Sequence, residues 1–528
     1  MFNSTLKQVL VIFIIMVSPA AILLAETKVN QQQAPETIEI GRQKQLLVDD
    51  YAIASKENIE IKLGQPVKKG IVMGPTLPTD FHPTYEFKGE KPHLRPDSYG
   101  CDMGYRVSVV YNEQVQRFQM VYRGSKESMT CYAESLDGIN WRKPLVAGNG
   151  KTNIVRVKAN GKSGKYYEAA MTIDPSLKWG HPEKYKTAYN PGNTRCAIGY
   201  SADGVNWKAY NDGKNVTGRA ADTANQILWD PIQQRYLLVT RQDLAAKGGK
   251  GEVRATRIMK HRNNDLMNDP ENWKTIATVA VDDPLKELNP HRVVKYQMEA
   301  MTVWPYENVY FGLMHVLAAG ELTGSKNREV KDPRKRPDED VIDLYIGTSR
   351  DGVNFDRSWI YQRKPFLERG EDDTFDKSMI HCASEIITLN DKHMIYYYGS
   401  YSQHHAPSEA RIEPGRIGLA VLPLDRFIAQ KAVDGQTGVI TTKYFKVDGN
   451  AIIVNVEAEN GSFKAEVLDE DGQVISGFTN CAKNIDSIKH ELKWAESSNT
   501  KDLKGKKIAL RFALENASLY SFTVEKHK

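Results

Sequence analysis

Short apolar runs alternate with polar turns along most of the chain, and one turn pattern recurs. Residues 135–141, 201–207 and 349–355 each read Ser-x-Asp-Gly, with an aromatic residue three positions after the glycine. Each copy follows an apolar run that is typical of a strand. Asp-Gly between two such runs is a strong hairpin signal. The pattern therefore predicts a strand, a tight turn and a second strand in each copy.

The spacing of the three aspartates predicts further copies. Asp137 and Asp203 are 66 residues apart, whereas Asp203 and Asp351 are 148 residues apart, which leaves room for one more unit. A degenerate copy fits this gap at 257–273, and a fifth follows at 416–427. Another pair of apolar runs precedes most copies, so each unit contains four strands. In the second unit we expect the run 166–171 to be the second strand. We therefore predict a five-bladed β-propeller.

The character of the sequence changes after the fifth copy. Residues 429–442 contain two glycines and are typical of a linker, and alternating apolar runs follow from 451 to 525. This alternation predicts a β-sandwich over residues 440–527, after a propeller over residues 40–430. No long amphipathic helical pattern interrupts either part, so we expect an all-β protein.

The turn sequence recurs in the same form within the chain, and this form predicts a structural role for its aspartate. The strands of a blade alternate in direction, so the turns between strands 3 and 4 lie on the opposite face from the starts of the innermost strands. Asp137, Asp203 and Asp351 lie in such turns, where an aspartate side chain commonly bonds the turn backbone. We expect these three aspartates to be structural.

The N-terminus predicts the compartment. Lys7 precedes an apolar run from Val9 to Leu24, and Ala25 is a small residue suited to a cleavage site. This order is typical of a secretory signal peptide over residues 1–25, and the alternative is a retained membrane anchor. The run is short for a span of about 20 residues and contains Pro19. We expect cleavage, a secreted or periplasmic protein, and no membrane contact afterwards.

Charge and cysteine content exclude several classes of function. The formal net charge is +5 over 528 residues, too weak to indicate a nucleic-acid partner. Five scattered cysteines form no CxxC pair and no metal-ligand spacing with histidine, so we expect core thiols rather than a disulfide framework or a zinc site. We predict neither a metal nor a cofactor.

Three short sequence motifs, in addition to the repeated turns, resemble those of a known family. Residues 47–51 (Leu-Val-Asp-Asp-Tyr), 222–231 (with Asp-Thr-Ala-Asn and Trp-Asp-Pro) and 416–420 (Arg-Ile-Gly-Leu-Ala) carry it. With five blades and a terminal sandwich, the chain resembles the five-bladed glycoside hydrolases of the arabinanase and invertase superfamily, families 43 and 32. The resemblance implies hydrolysis of an oligo- or polysaccharide. The Asn-Asp-Pro-Asn motif of invertases is absent, so we do not expect a sucrose or fructan substrate.

Acidic residues on or before the predicted inner strands are the candidates for chemistry. Asp102, Asp222 and Glu299 lie there, as does Glu385 with His381. Inner strands converge on one axial funnel, and glycoside hydrolysis needs two carboxyl groups across the scissile bond. The alternative for each acid taken singly is a salt bridge within a strand.

The family resemblance implies roles for these acids. It assigns Asp102 as base or nucleophile and Glu299 as acid, and it leaves Asp222 to orient substrate or tune a pKa. Asn225 lies on the same strand face as residue 223, and we place it, His381 and Glu385 among the substrate-binding residues.

The predicted rim loops suggest the kind of glycan. They contain Trp179, His404 and His405, and Lys and Arg outnumber Asp and Glu there by 17 to 13. Aromatic rings can stack on sugars, and cations can pair with uronate or sulfate, so we expect an oligo- or polysaccharide partner with anionic groups. A solvated rim of mixed charge is the alternative. For the whole protein, the rival functions are a non-catalytic glycan-binding propeller and a six-bladed sialidase-like enzyme.

Overall fold

The computed structural model describes residues 36–80, 85–88, 91–94, 103–124, 129–146, 150–164, 166–218, 224–245, 252–281, 296–320, 332–406, 413–495 and 499–526. Strands dominate these ranges, as the sequence predicts. Within them the helical segments are one α-helix, α1 (Ser358–Tyr361), and short 3-10 turns such as Pro78–Asp80, Tyr210–Gly213 and Thr500–Leu503. No helical segment in this part of the chain has the length and hydropathy needed to cross a membrane.

Six strands come first in the chain. They are β1 (Gln45–Leu46), β2 (Ile53–Glu57), β3 (Ile59–Leu63), β4 (Val67–Met73), β5 (Tyr85–Lys88) and β6 (Lys91–Leu94). β5 and β6 pair with each other, whereas the first four strands pair with strands from the last third of the chain.

Two antiparallel sheets follow. The first contains β7 (Ser108–Asn112), β8 (Arg117–Arg123), β9 (Thr130–Ser135) and β10 (Trp141–Arg142). The second contains β11 (Val157–Ala159), β12 (Lys162–Ser163), β13 (Tyr167–Ile173), β14 (Tyr185–Asn190), β15 (Ala197–Ser201) and β16 (Trp207–Ala209). The sequence suggested that β13 is the second strand of its unit, but it is the innermost one, because β14 leads outward from it to β15 and β16.

Two further sheets complete this part of the molecule. One contains β17 (Gln226–Asp230), β18 (Arg235–Ala245), β19 (Glu252–His261) and β20 (Trp273–Val279). The other is eight-stranded and contains β4 with β21 (Tyr296–Tyr306), β22 (Val309–Ala318), β23 (Val341–Ser349), β24 (Met379–Cys382), β25 (Ile387–Leu389), β26 (Lys392–Ser400) and β27 (Arg416–Pro423).

The innermost strands of these sheets lie side by side in a nearly closed series. β7 contacts β13, β13 contacts β17, β17 contacts β21, and β25 contacts β7 again. The outer edge of the eight-stranded sheet is β4, which pairs with β27 in the register Ile417↔Met73. The sequence suggested that Phe427 begins the strand beside β27, but Phe427 leads into β28, and the N-terminal β4 takes that place.

The last part of the chain forms one ten-stranded sheet. It contains β28 (Ile428–Ala432), β29 (Thr437–Thr442), β30 (Phe445–Lys446), β31 (Ala451–Leu468), β32 (Val474–Glu491), β33 (Lys507–Glu515) and β34 (Ser518–Glu525). β1, β2 and β3 join it through β34, β29 and β28. Alternate residues such as Val454, Val456, Phe512 and Leu514 are buried in a common apolar core.

The repeated turns have the structural role that the sequence predicts. Asp203 Oδ1 accepts the backbone N–H groups of Val205 at 2.9 Å and Asn206 at 2.8 Å, and Oδ2 accepts the Asn206 side-chain amide at 2.8 Å. Asp137 and Asp351 make the same contacts in their own turns. The backbone N–H of Asn140 holds the pKa of Asp137 well below its usual range.

The cysteines only partly follow the expectation of core thiols. Cys131, Cys196 and Cys382 are buried, whereas Cys481 is exposed on β32. Cys101 lies outside the described residues.

Candidate functional site

A small cavity lies at the amino ends of the innermost strands. Its volume is about 20 Å³, room for about one water molecule. We call it the axial cavity. Residues on or next to several inner strands line it: Tyr105 and Arg106 before β7, Ala170 on β13, Asn225 before β17, Thr302 on β21 and His381 on β24.

Hydrogen bonds between inner strands close the floor of the axial cavity. The Gln226 side-chain amide donates to Val303 O at 3.0 Å and Ser384 O at 2.9 Å, and its oxygen accepts Val303 N at 2.9 Å. Ser108 Oγ lies 2.5 Å from Ser384 Oγ and donates to Met171 O at 2.7 Å. These buried bonds fix the inner strands in register and separate the two ends of the axis.

Glu299 contacts two residues that line this cavity, Tyr105 and Arg106. It is buried on β21, pairs with Arg254, lies 3.7 Å from Arg106 Nη2 and accepts the Tyr105 hydroxyl at 3.2 Å. Burial favours its neutral form, but His404, in its protonated form at low pH, and the three arginines outweigh burial and lower the pKa of Glu299 to about 2. Glu299 is therefore ionised at neutral pH, which does not suit the proton-donor role expected from the family resemblance.

The histidines around Glu299 are held neutral. Burial, His315 and Arg106 hold the pKa of His381 well below its usual range, and Arg106 Nη1 lies 3.2 Å from its Nδ1. Burial also lowers the pKa of His404 to about 4, although Glu299 opposes this shift. His404 Nε2 lies 3.2 Å from Arg254 Nη1, so both expected histidines reach the arginine cluster.

His405 fixes the loop that carries His404. Its backbone N–H donates to Asp340 Oδ2 at 2.6 Å, and its Nδ1 lies 2.5 Å from Asp340 Oδ1. His404 N donates to Asp340 O at 2.9 Å. The structure thus brings Glu299, His381 and His404 together at one end of the axis, with His405 directly behind them.

Asn225 also lies at the axial cavity. It is buried and accepts the Thr240 hydroxyl at 2.8 Å. Asp102 and Asp222 lie outside the described residues.

Sequence reasoning missed the arginines. Arg106, Arg241 and Arg254 converge on Glu299, and their charges all lower its pKa. Arg106 also stacks over Tyr105, with 3.9 Å between the guanidinium and the ring centroid. A charged residue inside an otherwise apolar strand run was the available signal, because such a residue is rarely buried without a partner.

Trp179 and Glu385 lie at the other end of the axis. Both line a cavity of about 510 Å³ at the carboxyl ends of β7 and β13, which we call the lower cavity. Trp179 was expected on the rim of the funnel. It lies at the opposite end because its loop follows an innermost strand, β13, rather than a second strand. Burial raises the pKa of Glu385 to about 8.

Comparison with known proteins gives distant structural neighbours. No family model matches the chain, and no curated protein matches it. A solved "Glycoside hydrolase" is similar with TM-score 0.41 and 12% identity, over 68% of this chain and 92% of that chain. A family 43 arabinoxylan arabinofuranohydrolase from Bacillus subtilis gives 0.35 and 10%, over 82% and 97%. A GH32 β-fructofuranosidase from Bombyx mori gives 0.33 and 10%, over 80% and 91%.

All three neighbours are glycoside hydrolases, and two of them belong to families 43 and 32, which the sequence motifs resemble. Within the described ranges, no group of three or more His, Cys, Asp or Glu side chains could hold a metal ion.

Proposed function

We propose that this protein is a glycoside hydrolase that binds its substrate at the end of the axis where Glu299 and the arginines lie, next to the axial cavity, which itself has room for about one water molecule. The observation that carries the proposal is a buried, ionised carboxylate, Glu299, in contact with Tyr105 and Arg106, which line a polar cavity between several inner strands. Buried charge is costly unless a function or a partner maintains it. The innermost strands act here as a rigid frame for reacting groups.

The proposed architecture is a five-bladed propeller over residues 40–430 and a β-sandwich over 440–527. In this proposal β21 to β23 belong to the fourth blade, and β24 to β27 with β4 make the fifth. The N-terminal β4 then completes the ring. Removal of residues 1–25 would leave a secreted or periplasmic protein.

A two-carboxylate mechanism needs a proton donor besides Glu299. Asp222 is two residues before Ala224, and Asp102 is three residues before Tyr105, and both of these neighbours line the cavity. We assign the proton donor to one of them, and to Glu299 the stabilisation of positive charge that develops on the sugar ring.

The substrate in this proposal carries an anionic group. Arg106, Arg241 and Arg254 bring three guanidinium groups to the site, and such groups bind carboxylate or sulfate through paired hydrogen bonds. A uronic or sulfated sugar would meet these arginines from the side of the loop that carries His404.

One observation favours a second candidate, a non-catalytic glycan-binding propeller. Glu299 is bound by Arg254 and Tyr105, and a carboxylate in such contacts can be a structural ion pair. The same arginines would then bind an acidic glycan without cleaving it.

Hydrolysis of defined oligosaccharides distinguishes the two candidates. We expect the purified full-length protein to release reducing ends from at least one uronic or sulfated oligosaccharide, and both D102N and D222N to reduce this release. The variant D137N is the matched control, since Asp137 lies in a turn. Binding without release of reducing ends would support the glycan-binding candidate. Neither binding nor cleavage of any acidic or neutral glycan would refute both.

A further inference from the structure

The lower cavity is a second concave site, separate from the axial cavity. It lies between the ends of β7 and β13 and the start of β25, and the loop 174–184 forms one wall. The bonds of Gln226 and the contact between Ser108 and Ser384 close the axis between the two cavities. A molecule in the lower cavity therefore cannot reach Glu299.

The lower cavity has the size and lining of a small-molecule site. Its volume of about 510 Å³ lies in the range of ligand pockets, about 300–1,000 Å³. Val110, Ile173 and Ile386 supply apolar surface, and Ser176 and Thr388 supply hydroxyl groups. This mixture matches a ligand that has both an apolar face and hydroxyl groups.

The loop holds Trp179 in place before any ligand arrives. Lys184 Nζ donates to Asp174 O at 2.7 Å and to Leu177 O at 2.6 Å, and it lies 4.5 Å from the centroid of the Trp179 ring. The Tyr185 ring meets Trp179 edge-on, with 6.4 Å between centroids. A fixed aromatic ring at a cavity wall binds a flat apolar face at little entropic cost.

Glu385 is the second polar element of the cavity. Its side chain is half-buried at the cavity wall, and no described residue forms a hydrogen bond or ion pair with its carboxyl group. Burial raises its pKa to about 8, so it is a carboxylic acid at neutral pH. A carboxylic acid both donates and accepts hydrogen bonds, as a sugar hydroxyl requires.

We propose that the lower cavity is a non-catalytic binding site for a neutral sugar residue, which stacks on Trp179 and exchanges hydrogen bonds with Glu385. The site is independent of hydrolysis at the other end of the axis.

Affinity measurements on single variants test this proposal. The probes are neutral tetrasaccharides of glucose, xylose and arabinose, measured by calorimetry against the full-length protein at pH 6.5. We expect at least one to bind. W179A should weaken that affinity at least about tenfold, because it removes the stacked ring. W494A is the matched control, since Trp494 is half-buried on the C-terminal sheet and bonds Thr500.

Variants of Glu385 provide a second test, whose result does not depend on whether W179A folds correctly. E385Q keeps a donor and an acceptor and should bind as tightly as the wild type, whereas E385A should bind at least about fivefold more weakly. Wild-type affinity should fall as the pH rises through about 8, and E385Q should not follow it. The other titratable groups that line the cavity are Tyr111, Glu113, Lys178 and Lys184.

Three results would overturn the proposal. The first is that none of the neutral probes binds. The second is that W179A and E385A both bind the probe as tightly as the wild type. The third is that R254Q loses binding whereas E385A keeps it. The last result would place the sugar at the axial cavity instead. Because hydrolysis is measured separately with acidic substrates, a failure here is distinct from a failure of the proposed enzyme.

Discussion

Replacement of Glu299 by glutamine removes a buried charge beside the axial cavity with little change in side-chain shape. The carboxylate is paired with Arg254, lies 3.7 Å from Arg106 and has a pKa of about 2 instead of 4.5. Each unit of difference between the pKa in the folded state and the pKa in the unfolded state corresponds to about 1.36 kcal/mol of folding free energy. Glu299 therefore contributes about 3 kcal/mol to folding at pH 7, and E299Q should lose about this amount, since it leaves buried arginines without their partner.

The stabilisation by Glu299 depends on pH, and the direction of this dependence follows from the lowered pKa. Because the folded pKa lies below the unfolded value, the stabilisation is fully present above about pH 4.5 and is lost as the pH falls through about 2. At pH 3 the remaining difference between wild type and E299Q should be about 1 kcal/mol.

Urea unfolding, followed by tryptophan fluorescence at pH 7 and pH 3, measures both values. D372N is the control, because Asp372 and its partner Lys335 are exposed and such pairs contribute less than about 1 kcal/mol. If E299Q matches the wild type at pH 7, or if the difference does not shrink at pH 3, the charge cluster does not stabilise the fold as argued.

Three further outcomes follow from the same structure. D203N should lower the free energy of unfolding by about 1 kcal/mol, because turn hydrogen bonds are lost, and should leave turnover intact. D222N should reduce turnover about 10²-fold with little change in Tm. The reverse pattern would show that the site has been placed at the wrong end of the axis. Binding or cleavage of an acidic glycan should weaken between 50 mM and 500 mM salt, because charge pairs near the surface are screened over about 8–10 Å; unchanged affinity would contradict the role of the arginines. Q226A should lower Tm by several degrees, since three buried hydrogen bonds are lost, and a variant as stable as the wild type would show that the floor of the axial cavity is not held as described.

The repeated turns could be predicted from sequence because their chemistry is local. Asp-Gly forces a tight turn, and the aspartate bonds backbone groups two and three residues later. No distant partner is needed for this geometry. The alternating apolar runs predicted the all-β class for the same reason, because burial on one face requires a period of two.

Elements that depend on distant partners were not visible in the sequence. β4 and β13 have ordinary strand patterns, and their positions follow only from their neighbours, β27 and β14. The wrong position for β13 then moved Trp179 to the wrong end of the axis. The pKa of Glu299 likewise depends on arginines up to about 190 residues away in the chain, and no local pattern predicts this convergence.

The pairing of β4 with β27 determines when the protein can become complete during its synthesis. Met73 and Ile417 are partners, and β3 pairs with β28 over a similar distance, with Leu63 opposite Ile428. Until residue 417 has left the ribosome, the early strands have no partner and present open edges. Long-range closure of this kind is slow, and exposed edges favour association with other chains. A chain truncated before residue 416 would therefore be expected to aggregate rather than fold as a smaller ring.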